Sequence, residues 1–132
     1  PSAAGKSDLA LRLIDAGAKL IADDQVQLAA VRGELIASAP GQLSGKIEVR
    51  GLGIFDLDDL QLSPRARVAL VADLGPSADV VRLPYRTTCR LDDIEVPLVA
   101  LAAFESSTPA KIRMALKSWS AAGQQAIAPN DA

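Results

Sequence analysis

Pro1-Ser2-Ala3-Ala4-Gly5-Lys6-Ser7-Asp8-Leu9-Ala10-Leu11-Arg12-Leu13-Ile14-Asp15-Ala16 is the stretch that decides the fold. Gly5-Lys6-Ser7 forms the second half of the phosphate-loop pattern G-x-x-x-x-G-K-[ST], and Pro1 to Ala4 fill its four variable positions. Small residues there let backbone N–H groups curl around phosphate oxygens. Residues 7–16 read as an amphipathic helix: Leu9 with Leu13 and Ala10 with Ile14 recur at i, i+4, while Asp8, Arg12 and Asp15 lie elsewhere on its surface. Gly17 offers a left-handed stop. A helix starting at the loop adds unpaired N-terminal donors and the positive end of its dipole. In this pattern Lys6 reaches the β- and γ-phosphates and the Ser7 hydroxyl ligates Mg²⁺. Ser2, Ala3, Ala4, Gly5, Lys6 and Ser7 are therefore the expected nucleotide-binding residues, with ATP and Mg²⁺ as cofactors. The first Gly of the pattern would stand just before Pro1, so the first strand of the fold is expected upstream.

Outward from the helix, Lys19–Ala22 reads as a short strand ending at Asp23-Asp24. Strand ends face the ligand crevice in such folds. One of these carboxylates can take a proton from an incoming hydroxyl and the other can hold Mg²⁺ through water; the alternative is a solvated acidic turn. Gln25–Val31 and Glu34–Ser38 flank a tight Arg32-Gly33 turn and read as a hairpin. In Ile47-Glu48-Val49-Arg50-Gly51-Leu52-Gly53-Ile54, Glu48 and Arg50 share one face of a strand and two glycines permit a turn or close approach. Glu48 is a candidate Mg²⁺ ligand, and Arg50 suits a phosphoryl group or an acidic partner. An edge strand with solvated charges is the plainer alternative.

Arg67–Leu74 reads as a strand buried on both faces, with Val80–Leu83 and Glu95–Leu101 as further strands bent or edged near Pro84 and Pro97. Thr108 and Pro109 suit a helix N-cap and first helical position, and Ile112, Ala115, Leu116 and Trp119 form a stripe expected to be buried. Asp58-Asp59 and Asp92-Asp93 are assigned to solvent. The chain is expected to be one P-loop catalytic domain over residues 1–132, with a flexible tail at 123–132.

Composition narrows the chemistry. Apolar residues make up 49% but aromatics only 3%, so the core must come from Leu, Val, Ile and Ala. A net charge of −2 gives no support for a nucleic-acid surface, and no apolar run approaches the ~18 residues of a membrane span. The absence of His removes imidazole acid/base chemistry and His-ligated metal from this chain. The lone Cys89 suits a reducing compartment, and a cytoplasmic location is expected.

Three segments, Ser2-Ala3-Ala4-Gly5-Lys6-Ser7-Asp8-Leu9-Ala10-Leu11, Leu20-Ile21-Ala22-Asp23-Asp24 and Ile47-Glu48-Val49-Arg50-Gly51-Leu52-Gly53-Ile54, resemble in order and spacing the C-terminal catalytic domain of HPr kinase/phosphorylase, in its short alphaproteobacterial form. The resemblance implies an α/β fold, a P-loop kinase-like mixed sheet with flanking helices. It implies ATP-dependent phosphorylation of a serine of HPr, the phosphocarrier of the sugar phosphotransferase system, and phosphorolytic removal of that phosphate with release of pyrophosphate. Carried over by position, it makes Asp23 the catalytic base with Asp24 beside it. Lys6 and Arg50 become its catalytic companions, and Ser7, Glu48 and Asp24 the metal site. Arg50, Gly51, Leu52 and Gly53 become the HPr-facing or phosphorolysis segment, and a hexamer is implied. Longer relatives carry an arginine-rich turn where this chain has Ser106-Ser107-Thr108-Pro109-Ala110-Lys111; Lys111 there is a further partner-facing candidate, without the bidentate fork of Arg. A small-molecule P-loop kinase or NTPase and a non-catalytic nucleotide-sensing module are the competing readings.

Overall fold

Helix α1, Lys6–Asp15, grows out of Gly5, whose left-handed conformation (φ 90°) turns the incoming chain onto the helix axis. The computed structural model describes residues 5–41, 45–76, 80–81 and 85–118. Leu9 and Ile14 are the buried residues of α1, in line with the spacing of its apolar positions. Ile14 packs with Leu20 and Ile47, and Ala10, Val49, Leu57 and Leu62 close around them. This small aliphatic core fixes the body of α1 relative to the strand that carries Glu48.

Three sheets surround it. β1 (Gln27–Val31) and β2 (Glu34–Ser38) form the expected hairpin, with Val31 opposite Glu34. Its turn places Arg32 at φ 53° and Gly33 at φ 80°, the doubly left-handed geometry that matches strand twist. β5 (Arg65–Arg67) adds antiparallel to β2, giving the order β1-β2-β5. β3 (Lys46–Val49) and β4 (Gly53–Asp56) form a second hairpin, in which Val49 pairs with Gly53. The third sheet is mixed. β6 (Val71–Gly75) runs parallel to β8 (Ile94–Ala102), and β7 (Thr87–Leu91) runs antiparallel on the other side of β8. Val96, Val99 and Ala102 of β8 are buried. Helix α2 (Thr108–Ser118) follows β8. The α/β class and the mixed sheet with flanking helices are therefore present.

Several local expectations change. Lys19–Ala22 is not a ladder strand; Leu20 makes a single parallel bridge to Leu62, its N–H donating to Gln61 and its carbonyl accepting from Ser63. The run Arg67–Leu74 is two strands in different sheets, because residues 68–70 leave the ladder while Val68 donates to the Leu35 carbonyl. Nor is it buried on both faces: Arg67 and Asp73 are exposed. Pro97 lies buried inside β8. Its missing N–H is tolerated because β6 joins only from Leu98 onward, leaving one flank unpaired at that residue. The paired aspartates are exposed, as expected, and also shape turns. Asp58 caps a 3₁₀ turn at Asp59–Gln61, and Asp92 and Asp93 form the β7–β8 turn at φ 49° and 63°. The Asp92 carboxylate also accepts from the Ala30 N–H at 2.9 Å. Thr108, fully buried, uses its hydroxyl to donate to the Ala102 carbonyl rather than to cap α2. The apolar stripe of α2 is only partly covered: Ile112 and Ala115 are half-buried and Leu116 is 42% exposed. Trp119, the tail 123–132, Arg82 and Leu83 lie outside the described residues, and Val80 and Val81 are not in a strand.

Candidate functional site

The start of α1 has no side-chain cap, so its first N–H groups point outward unpaired by the helix itself. Gly5 leaves no room for any other residue. A Cβ there would sit 2.7 Å from Phe104 Cζ and 2.9 Å from the Ala103 Cβ. Lys6 follows and extends to Asp24, Nζ to Oδ1 3.2 Å, in a largely solvent-facing ion pair. Ser7, half-buried, donates from Oγ to Asp23 Oδ1 at 2.7 Å.

Asp23 is the hinge pin of the site. Its second oxygen, Oδ2, accepts from the Glu48 backbone N–H at 3.0 Å. One carboxylate therefore ties the helix start to β3, although the three residues are distant in sequence. The Leu20–Leu62 bridge holds the preceding segment, and the Ile14–Leu20–Ile47 core sets the spacing beneath it.

Beyond Val49, the chain turns through Arg50, Gly51 (φ 89°) and Leu52 into Gly53 (φ 124°), and Leu52 donates to the Val49 carbonyl. This turn forms one wall of a cleft of about 490 Å³. Gly5, Lys6 and Ser7 form its floor, Glu48 and Arg50 bring charge to the turn side, and Phe104 and Leu11 close the remaining side. Leu52 stands 75% exposed at the rim. The structure thus brings Gly5, Lys6, Ser7, Asp23, Asp24, Glu48, Arg50, Gly51, Leu52 and Gly53 into one neighbourhood. Ser2, Ala3 and Ala4 lie outside the described residues. Lys111 is elsewhere: it pairs with Glu105 at 3.0 Å and lines a second groove, beside Met114 and Val99.

Two contributors escaped the sequence reading. Phe104 sits just past the end of β8, where nothing in its neighbours marks a ligand wall. Arg12, placed on the helix surface, binds Asp8 (2.9 Å) and donates to the carbonyls of Glu105 (2.9 Å) and Ala103. Its i, i+4 relation to Asp8 was legible; the two carbonyls, far along the chain, were not.

Fold and site lead to known proteins. Residues 1–112 match the family described as HPr Serine kinase C-terminal domain. An HPr kinase/phosphorylase of Clostridium tetani is 51% identical over 59 residues, 45% of this chain and 19% of that protein. One from an Exiguobacterium species is 33% identical over 110 residues, 76% of this chain and 35% of the relative. The chain thus spans only a fifth to a third of the length of these curated relatives. The solved structure of the Hpr(Ser) kinase/phosphatase from Coxiella burnetii superposes with a TM-score of 0.77 at 27% identity, covering 90% of this chain and 83% of that one.

Proposed function

This chain belongs to the HPr Serine kinase C-terminal domain family, and we propose that it is the catalytic domain of an ATP-dependent serine kinase acting on HPr, with the reverse phosphorolysis as its second activity. The observation that carries the reading is the carboxylate of Asp23, held between the Ser7 hydroxyl and the Glu48 N–H, two residues that line a single cleft.

On this reading the loop N–H groups at the start of α1 and Lys6 bind the nucleotide phosphates. The Lys6–Asp24 pair is exposed, so little is lost when Lys6 leaves Asp24 for a phosphate. Asp23 takes the proton of the serine hydroxyl as its oxygen attacks the γ-phosphorus and the bond to ADP breaks. In phosphorolysis an oxygen of inorganic phosphate attacks the phosphoserine phosphorus, the bond to the serine oxygen breaks, and a protonated Asp23 gives its proton to that oxygen as pyrophosphate leaves. Arg50, across the cleft, compensates charge on the transferred group.

Magnesium suits this donor set. It keeps several waters and takes one or two carboxylates together with substrate phosphates. Ser7, Asp24 and the exposed Glu48 are the residues that would hold it; among the described residues no group of three or more carboxylate, Cys or His ligands is assembled. Bound there, the ion neutralises charge on the phosphates. Leu52, apolar and exposed beside Arg50, suits an acceptor that is a folded protein. No described helix is long and apolar enough to cross a membrane; a cytoplasmic location and a hexameric assembly complete the proposal.

Incubation of the intact protein with ATP, magnesium and HPr, followed by mass spectrometry of HPr, tests it. Phosphoserine on HPr is expected. ATP turnover that is indifferent to HPr would instead favour a small-molecule kinase or NTPase.

A further inference from the structure

β8 leaves its sheet at Ala102, and the carbonyls just beyond a strand end need new donors. Side chains supply them. The Thr108 hydroxyl donates to the Ala102 carbonyl, and the Arg12 guanidinium donates to the carbonyls of Ala103 and Glu105. Arg12 is itself held by Asp8, one turn back on α1. The segment fixed in this way presses on the phosphate loop: Ala103 is 1% exposed, and both it and the Phe104 ring stand where any Cβ on Gly5 would be.

We propose that Arg12 is a positioning residue for nucleotide binding, which clamps Ala103–Glu105 to α1 and so holds Phe104 against Gly5 in the shape that receives phosphate. This rests on the phosphate-site reading above but assigns a residue outside the loop. The planar fork of Arg is what the task needs. Its five N–H donors reach two carbonyls and a carboxylate together, in fixed directions; the single ammonium of Lys cannot hold all three in that plane. Arg12 does not itself line the cleft; it pairs with Asp8, which does, and acts through that carboxylate and the backbone it orders. Freed from Arg12, the turn would let the Phe104 ring swing from Gly5. The loop would then have to be ordered by the ligand, at a cost to affinity.

The test uses magnesium-ATP and, separately, pyrophosphate, titrated calorimetrically into the intact protein well below its melting temperature. Wild type is compared with Arg12→Lys, Phe104→Leu and the helix-surface control Asp15→Ala. Arg12→Lys and Phe104→Leu are expected to bind both ligands on the order of tenfold more weakly, equivalent to ~1.4 kcal/mol, with Asp15→Ala unchanged. Phe104→Leu keeps an apolar residue and reports on the same contact should Arg12→Lys fold poorly. A lowered melting temperature with affinities within twofold of wild type for every folded variant would overturn the proposal, leaving Arg12 a purely structural tie. Wild type that binds neither ligand would remove the phosphate-site reading itself, and the positioning role with it.

Discussion

Ser7 and Asp23, 16 residues apart in sequence, meet through a 2.7 Å hydrogen bond from hydroxyl to carboxylate. Because the other carboxylate oxygen accepts from Glu48, Asp23 has a defined orientation before any ligand arrives. A base oriented in advance loses little entropy on reaction, so its chemistry can be separated from its architecture.

Asp23→Asn keeps an oxygen acceptor but cannot take a proton. Phosphoryl transfer to HPr is expected to fall by roughly 10²–10⁴-fold, with ATP affinity changed far less. Single-turnover phosphorylation alongside calorimetric titration measures both. Near-full transfer would move the base elsewhere, with Asp24 the next candidate.

Lys6→Ala removes one half of an exposed ion pair. Its effect on stability should stay within about 1 kcal/mol, while ATP binding is lost. Thermal melting and titration of the same sample are the check. Unchanged affinity would remove Lys6 from the phosphate site.

Gly5 and Gly51 both adopt positive φ, but only Gly5 is crowded; nothing lies within 4 Å of a Cβ at Gly51. Gly51→Ala should therefore lose about 1–2 kcal/mol from backbone strain alone, and Gly5→Ala clearly more, since Ala103 must also move. Denaturant unfolding of the two variants tests this, and equal losses would mean that the contact with Phe104 and Ala103 is soft.

Arg50→Ala should impair transfer to HPr or phosphorolysis, with ATP affinity largely kept, whereas Arg65→Ala, on the exposed strand β5, should behave as wild type. Steady-state rates and direct ATP binding distinguish them. Equal behaviour would reduce the Glu48–Gly53 segment to a structural hairpin.

How much of this was legible beforehand depended on the range of each signal. α1 and the Arg32-Gly33 hairpin were readable because residues only a few positions apart determine them. Asp92-Asp93 is exposed as expected, but the hairpin it closes was not read, since the turn has neither Gly nor Asn, although Asp also tolerates the left-handed region. The apolar run across Arg67–Leu74 hid a change of sheet, since hydrophobicity reports burial and not which neighbour supplies it. In α2 the period marked the apolar face correctly, but a period cannot say what covers that face. At the site, residue types and spacing pointed to Ser7, Asp23 and Glu48 separately. Only the folded chain shows them joined by one carboxylate, and no local pattern announces Arg12 reaching Ala103 and Glu105.

The bond from Ala30 to Asp92 has a consequence for life in a crowded solution. Among the described residues β1 pairs on one side only, and all five of its residues are exposed, Leu28 and Val31 among them. Such an edge invites a strand from another molecule to add to the sheet. Here a carboxylate from the β7–β8 turn already occupies a donor near the middle of that edge. An intruding strand would have to displace it and then accommodate a negative charge beside its own backbone. Asp92 thus acts as a gatekeeper against edge-to-edge aggregation, placed by a turn whose own sheet lies elsewhere in the fold.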